Sequence, residues 1–391
     1  MATPPLEARH RPSGLNSRFN ADRLAFADYV AHNRDMLVRA HAGSANLEKI
    51  VDGNAPFELI PPAGFPAGQH KPYRRGVLLT HGLTGSPYLM RHLAGFFQQN
   101  GFRVMAVLLP GHGTQPGDLL DTRWQDWIRT VEYGTDRLAE EVDEVYLAGY
   151  SIGGTLSVYQ SLHDNRVRGL FLFSPAIRIT PWAAFANLHR LYSWLIPSAK
   201  WVDILPDRDI YKYESFTKNA AAQTYALTRK LDAQLRLHEI DFPVFAVASE
   251  DDITVKTSAI IEFMARASHP SNKLVLYTTE PEKFPLGIPP ERLVLVNSAS
   301  PAQRILSSAH TAIVVPPEDK HYGVAGEYSN CVHYFPDDME KYEACLRHPE
   351  QDRQGEITEK NLKAGILRRL MYNPKFAALE VSMKQFIDNL P

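Results

Sequence analysis

The chain holds only two cysteines in 391 residues, Cys331 and Cys345. Two are too few for a disulfide framework, and they fit free thiols in a reducing compartment. No apolar run approaches the roughly 18 residues that a membrane-spanning helix needs. The first residues, Met1-Ala2-Thr3-Pro4-Pro5-Leu6-Glu7, lack the basic-then-apolar pattern of a signal peptide. A cytoplasmic protein without stable membrane insertion is therefore expected. An excess of charge of one sign is also missing. A formal net charge of −2 gives no electrostatic footprint for nucleic acid. Gly111-His112-Gly113 has neither the lysine nor the Ser/Thr of a P-loop, and it reads as a turn. There is no internal repeat and no low-complexity tract.

What remains is ordinary globular composition, 44% apolar and 22% charged, in a length that suits one large α/β domain with insertions or two smaller ones. Residues 1–15 are rich in Pro and Arg and read as a disordered tail. Across 16–42, Phe19, Leu24, Phe26, Tyr29, Val30, Met36, Leu37 and Val38 fit one or two amphipathic helices. A possible strand at 57–60 precedes a Pro/Gly stretch at 61–68. Short apolar runs then recur at 77–79, 104–109, 145–148, 170–173, 244–248 and 274–277, with helical patterns at 88–100 and 124–141 between them. Continuous apolar strands alternating with helices imply a mostly parallel sheet covered on both faces. Residues 175–241, with Pro175, Pro181, Pro197 and Pro206, interrupt the rhythm as an insertion. A further strand is possible at 293–296, and 358–391 suggests two helices flanking Asn373-Pro374. The expected organisation is an N-terminal extension at 1–75, partly disordered and then helical, a core at 76–174 and 242–391, and an insertion at 175–241.

Gly149-Tyr150-Ser151-Ile152-Gly153-Gly154 carries the chemistry. It follows the apolar run 145–148 and precedes a helical segment, the layout of a nucleophile elbow. Only small residues fit beside a serine in so tight a turn, and Gly149 and Gly153 provide the space. A serine hydroxyl attacks well only when a base takes its proton, and the base is normally a histidine oriented by a carboxylate. In sheets of this type the chain order is Ser, acid, His. Charge developing on the attacked carbonyl oxygen needs two backbone N–H groups. One is expected from Ile152. The other is expected from Leu83, in the Thr80-His81-Gly82-Leu83-Thr84-Gly85 loop after the run 77–79, with His81 orienting that loop.

His81-Gly82-Leu83-Thr84-Gly85, Leu109-Pro110-Gly111-His112-Gly113-Thr114, Trp124-Gln125-Asp126-Trp127 and the Ser151 elbow follow one another at hydrolase spacing. Together they resemble the α/β-hydrolase superfamily, in its carboxylesterase and monoacylglycerol-lipase-like branch. The resemblance covers about 76–260 and the segment around His310. It implies an α/β-hydrolase fold and a serine esterase with a helical cap over the site. The family's acid pattern, read along Ser249-Glu250-Asp251-Asp252-Ile253-Thr254-Val255, places the acid at Asp252, or at Asp251 one register away. The family's small-small-His loop resembles Ser308-Ala309-His310, with His321 as the alternative base. The chain departs from the branch in its 75 leading residues and in the 57 residues between Asp252 and His310.

The insertion lies where such enzymes carry a lid. Its aromatic groups, Trp182, Phe185 and Trp194 foremost, suggest an apolar cover over an acyl pocket. The expected activity is hydrolysis of apolar acyl esters, such as monoacylglycerol-like or short- and medium-chain esters, through an acyl-enzyme. A thioesterase or acyltransferase would use the same triad, and a binding protein with a vestigial site is the non-enzymatic alternative. No cofactor or metal is expected. Cys331-x-His333 and Cys345-x-x-His348 offer four zinc-type ligands, but zinc sites usually show closer cysteine pairs. A small-molecule ester is the expected partner, and a homo-oligomer is left open.

Overall fold

Continuous apolar runs form strands buried on both faces, and amphipathic runs form the helices that cover them. The computed structural model describes residues 4–179, 197–283, 287–348 and 351–390. The fold is α/β, a mostly parallel sheet flanked by helices. The chain divides into two compact units, one made of Ala2–Leu170 with Ile179–His238, the other of Phe171–Arg178 with Glu239–Pro391.

In the first unit, β1 (Phe57–Leu59), β3 (Phe102–Val107), β2 (Tyr73–Thr80) and β4 (Val142–Tyr150) are hydrogen-bonded in that order. β2 is parallel to both β3 and β4, while β1 runs antiparallel at the edge. Val77, Leu78 and Leu79 are fully buried, and every residue of β3 is buried, as expected of a sheet covered on both faces. β5 (Val167–Phe173) starts in this unit and ends in the second. The helices are α1 (Phe26–Ala40), α2 (Leu47–Asn54), α3 (Arg91–Gln99), α4 (Trp124–Glu141) and α5 (Ile152–Ser161). After residue 196 the unit adds an antiparallel pair, β6 (Trp201–Asp203) and β7 (Phe216–Thr217), and then α6 (Lys218–Leu235). The Thr217 side chain caps α6 by accepting from the Ala220 amide.

Among the described leading residues, several pack against the rest of their unit. His10 is buried and meets the Trp201 ring edge-on, with centroids 5.0 Å apart. The Ser13 amide and hydroxyl both donate to Asp118, each at 2.6 Å. Asn16 Nδ2 donates to the Leu109 and His112 carbonyls at 3.3 and 2.8 Å. The physical reason lies in Asp118, which is fully buried and must find donors. Pro/Arg-rich composition could not show that. α1 then buries Phe26, Tyr29, Met36 and Leu37. The Tyr29 hydroxyl donates to the Leu108 carbonyl and accepts from the Leu108 amide.

In the second unit β8 (Val244–Ser249), β9 (Lys273–Thr278) and β10 (Leu293–Asn297) are parallel neighbours in that order. α7 (Thr257–Arg266) follows β8, and α8 (Met339–Arg347) comes later. The C-terminal part holds β11 (Arg353–Gly355), α9 (Glu359–Leu362), β12 (Leu367–Arg369) and α10 (Phe376–Asp388). Phe386 of α10 packs on Phe171 and Phe245, with centroids at 5.3 and 5.5 Å.

Residues 358–372 form no full helix: α9 has four residues, and β12 pairs in parallel with β11. Gly365, at φ +123°, turns the chain out of the helical region between them. The cysteines are also not free thiols. Cys331 and Cys345 form a disulfide with Cα atoms 6.1 Å apart, fully buried beside Tyr334 and Tyr342. α8 brings its Cys345 back to the segment before it, a tertiary return that spacing alone does not reveal. The inference of a reducing compartment falls with the thiols. No described helix is long and apolar enough to cross a membrane.

Deleting residues 2–15 should destabilise the protein measurably. It strips two donors from buried Asp118, and leaving a buried group unsatisfied costs about 1–3 kcal/mol. Thermal melts of full-length and truncated protein test this, and an unchanged midpoint would contradict it.

Candidate active site

β4 ends at Tyr150 and α5 begins at Ile152, which leaves Ser151 alone to make the turn. Its φ of 55° and ψ of −117° put a non-glycine residue in a sparsely populated region, a strain of about 1–3 kcal/mol held by its surroundings. Those surroundings explain the flanking glycines. A Cβ on Gly149 would lie 2.2 Å from the Gly153 carbonyl carbon, and one on Gly153 would lie 2.1 Å from the Thr80 carbonyl oxygen. Ser151 is buried at the N-terminus of α5, where the first helical amides point outward.

The loop after β2 passes against this turn. A Cβ on Gly82 would sit 2.9 Å from the Tyr150 ring and 3.3 Å from Ser151 Cβ. His81 is fully buried. The Leu109 amide donates to its Nε2 at 3.1 Å, so Nδ1 carries the proton and donates to the Gly82 carbonyl at 2.8 Å. Burial first, and then nearby His112, hold the His81 imidazole well below its usual range; it stays neutral and keeps that tautomer. Thr84 is left-handed at φ 64°. Its carbonyl accepts from the Tyr213 amide at 2.8 Å, and the Tyr213 hydroxyl accepts from the Thr114 amide at 2.8 Å. The segment before β7 thus braces the loop that carries Leu83.

The second unit brings Asp252 and His310 together. Asp252 Oδ2 accepts from His310 Nδ1 at 2.6 Å. Its Oδ1 accepts from the Thr254 and Val255 amides at 2.7 and 3.0 Å. The Asp252 side chain is fully buried and that of His310 nearly so. Burial alone would raise the Asp252 carboxyl, but the His310 charge and hydrogen bond, with the two amides, outweigh it and hold it below the usual range. Asp251 points elsewhere. It accepts from the Ser298 hydroxyl at 3.4 Å, and burial pushes it up to about 6.

His310 opens a short 3₁₀ turn, His310–Ala312, and its amide donates to Glu356 Oε2 at 3.0 Å. His321 stacks on Tyr328 at 5.6 Å, and its amide donates to Asp319. Ser151, Leu83 and Ile152 belong to the first unit, Asp252 and His310 to the second. Trp182, Phe185 and Trp194 lie outside the described residues. Among the described residues no group of three or more His, Cys, Asp or Glu could hold a metal ion. Glu356 and Arg369 went unnoticed in the sequence. Both are ordinary charged residues far from any motif, and only burial distinguishes them.

The family described as serine aminopeptidase, S33, matches residues 71–279, more than half of the chain. A thermostable monoacylglycerol lipase from Bacillus sp. (strain H-257) is 38% identical over 109 residues, 28% of this chain and 44% of that protein. A carboxylesterase from Bacillus subtilis (strain 168) is 33% identical over 85 residues, 22% of this chain and 35% of that one. The chain thus spans less than half the length of either relative. A solved structure described under the metagenome-derived lipolytic enzymes LipS and LipT is 22% identical, with a TM-score of 0.47, covering 57% of this chain and 87% of that one. With the matched stretch running from the residues before β2 to the end of β9, the chain belongs to the serine aminopeptidase S33 family of α/β hydrolases.

Proposed function

We propose that the protein is a serine carboxylic-ester hydrolase acting on apolar acyl esters. The observation that carries this reading is the buried 2.6 Å pair of Asp252 and His310, in a chain whose Ser151 is held in a strained turn at a helix N-terminus. Ser151 Oγ attacks the ester carbonyl as His310 Nε2 takes its proton. The amides of Leu83 and Ile152 hold the oxyanion. The imidazolium then protonates the departing alcohol, and water repeats the cycle to free the acid and Ser151. Asp252 fixes the tautomer of His310 throughout. It is favoured over Asp251 because only Asp252 bonds the imidazole. His81, neutral and bonded on both ring nitrogens, orients the oxyanion loop.

The lipase and carboxylesterase relatives support an ester as substrate. The insertion at 175–241 is proposed as the cover of the acyl site, with Trp182, Phe185 and Trp194 touching the acyl chain. The Cys331–Cys345 bond favours an oxidising compartment over the cytoplasm.

Ser151→Ala should lower turnover of p-nitrophenyl acyl esters by at least about 10³-fold and abolish labelling by a fluorophosphonate probe. Full retention of either would sink the mechanism.

Asp252→Asn should also lose about 10³-fold or more in kcat, whereas Asp251→Asn should keep most activity. The Asp251 carboxyl is raised from 3.8 to about 6 in the fold, so its ionisation opposes folding. That penalty is absent below the unfolded value, grows as pH rises from the unfolded to the folded one, and stays constant above it. Asp251→Asn should therefore melt higher than the parent at pH 8 and equal to it near pH 3.5. A midpoint difference that does not depend on pH would contradict this.

A further inference from the structure

Glu356 is a carboxylate with no exposed surface. Burying such a charge costs several kcal/mol unless partners compensate, and the partners here share a pattern. Arg369 Nε lies 2.7 Å from Glu356 Oε1, and Arg369 Nη2 donates to Oε2 at 3.0 Å. The Ile357 amide donates to Oε1 at 2.9 Å. The remaining donor is the amide of His310 itself, to Oε2 at 3.0 Å. Arg369 also reaches the other side of the pair: its Nη2 donates to Thr254 Oγ1 at 2.9 Å, and the Thr254 amide donates to Asp252 Oδ1. One ion pair therefore touches the backbone of the base on one side and the loop of the acid on the other.

The pair is itself held rigidly. β11 and β12 are in parallel register with Gly355 opposite Arg369, so Glu356 and Arg369 emerge at the same end of a two-stranded ribbon. The base loop is laced to that ribbon. The Leu306 amide donates to the Gln354 carbonyl at 2.8 Å, and the Glu356 amide donates to Ser307 Oγ at 3.1 Å. Thr311 Oγ1 donates to the Leu370 carbonyl at 2.7 Å. Gly355 permits this approach, since a Cβ there would lie 3.2 Å from the Ser307 amide nitrogen. All of it lies beyond residue 279, where the family match ends.

We propose that Glu356 and Arg369 are positioning residues of the active site, holding the His310 and Asp252 loops in register through one ion pair whose carboxylate is fully buried. The proposal rests on His310 and Asp252 acting as base and acid. The guanidinium is a fork that can bond a carboxylate and a hydroxyl at once, which a lysine ammonium does with less geometric control. If the pair loosens, the imidazole still exists but points less reliably. The chemical step suffers, and substrate affinity does not.

The test compares the parent with Thr254→Val, Arg369→Lys, Glu356→Gln and the charge-free double variant Glu356→Gln/Arg369→Met. The readouts are kcat and KM on p-nitrophenyl butanoate, the thermal midpoint, and the fraction of Ser151 that a fluorophosphonate labels to completion. The double variant should lose about 100-fold in kcat, the scale set by ångström-level misplacement of catalytic groups, with KM within about twofold. Its labelled fraction should match the parent while labelling slows in proportion to kcat. Arg369→Lys should fall between parent and double variant. Thr254→Val cuts only the link to the acid loop at an exposed residue. It should lose a severalfold part of kcat at an unchanged midpoint, and it decides the matter should the buried variants not fold. Parent-like kcat in the double variant or in Thr254→Val would overturn the proposal, as would losses that merely track the unfolded fraction. A parent that neither turns over ester nor labels at Ser151 would instead overturn the esterase reading.

Discussion

The constraint on which the candidate site depends is the absence of space between the end of β4, the start of α5 and the end of β2. A methyl group on Gly149 or Gly153 would sit little more than 2 Å from backbone atoms, far inside any van der Waals distance. Those backbone atoms cannot swing aside as a side chain could. With helix and strands locked this closely, the chain has one residue in which to reverse from extended to helical geometry, and Ser151 adopts a conformation that a side chain rarely tolerates. The hydroxyl is therefore aimed by the packing of three elements, not by its own rotamer preferences. The same closeness extends to the next loop, where Gly82 admits the Tyr150 ring and passes beside Ser151. Ser151 and the loop that carries Leu83 are thereby fixed within one rigid cluster, the pre-organisation that the proposed oxyanion stabilisation requires.

Asp252 and His310 obey a different logic, that of buried charge. Asp252 loses water completely and is kept ionised by two amides and the imidazole. An uncompensated carboxylate there would take up a proton and no longer accept from His310. Each partner is thus part of the protonation state as well as the geometry. Beside it, Asp251 shows the contrasting outcome: partly buried, given one long hydrogen bond from Ser298, it is pushed upward. Two adjacent aspartates are separated in behaviour by the imidazole and the donors that face one of them.

The strands and most helices were legible because their signals are local. Continuous apolar runs at 77–79, 145–148 and 244–248 lie within β2, β4 and β8, and the pattern at 124–141 coincides with α4. The elbow was legible for the same reason, since tight turns leave glycines at fixed offsets. What depended on distant partners was not. The sequence left Asp251 and Asp252 one register apart, and the difference lies in which of them faces an imidazole 58 residues away. The leading residues read as a tail because their partner, Asp118, lies a hundred residues downstream. The two cysteines read as thiols because α8 had to fold back before they could meet. Residues 358–372 read as helix because β12 is three residues long, too short for its alternation to outweigh the helix-forming residues around it.

The distance between Asp252 and His310 along the chain has a structural consequence. A base that followed its strand directly would inherit its position from the sheet. Here the His310 loop, the proposed base loop, instead takes its position from hydrogen bonds to the ribbon of β11 and β12, which forms from residues more than forty positions further on. Such a ribbon of two three-residue strands has little stability alone. Its rigidity must come from what it is bonded to, and the buried Glu356–Arg369 pair is where it, the base loop and the acid loop meet. An apolar pair of similar volume could fill that space at no loss of stability, but it could not accept from the His310 amide or donate to Thr254. The role proposed for the charge is direction, which hydrophobic contact does not supply.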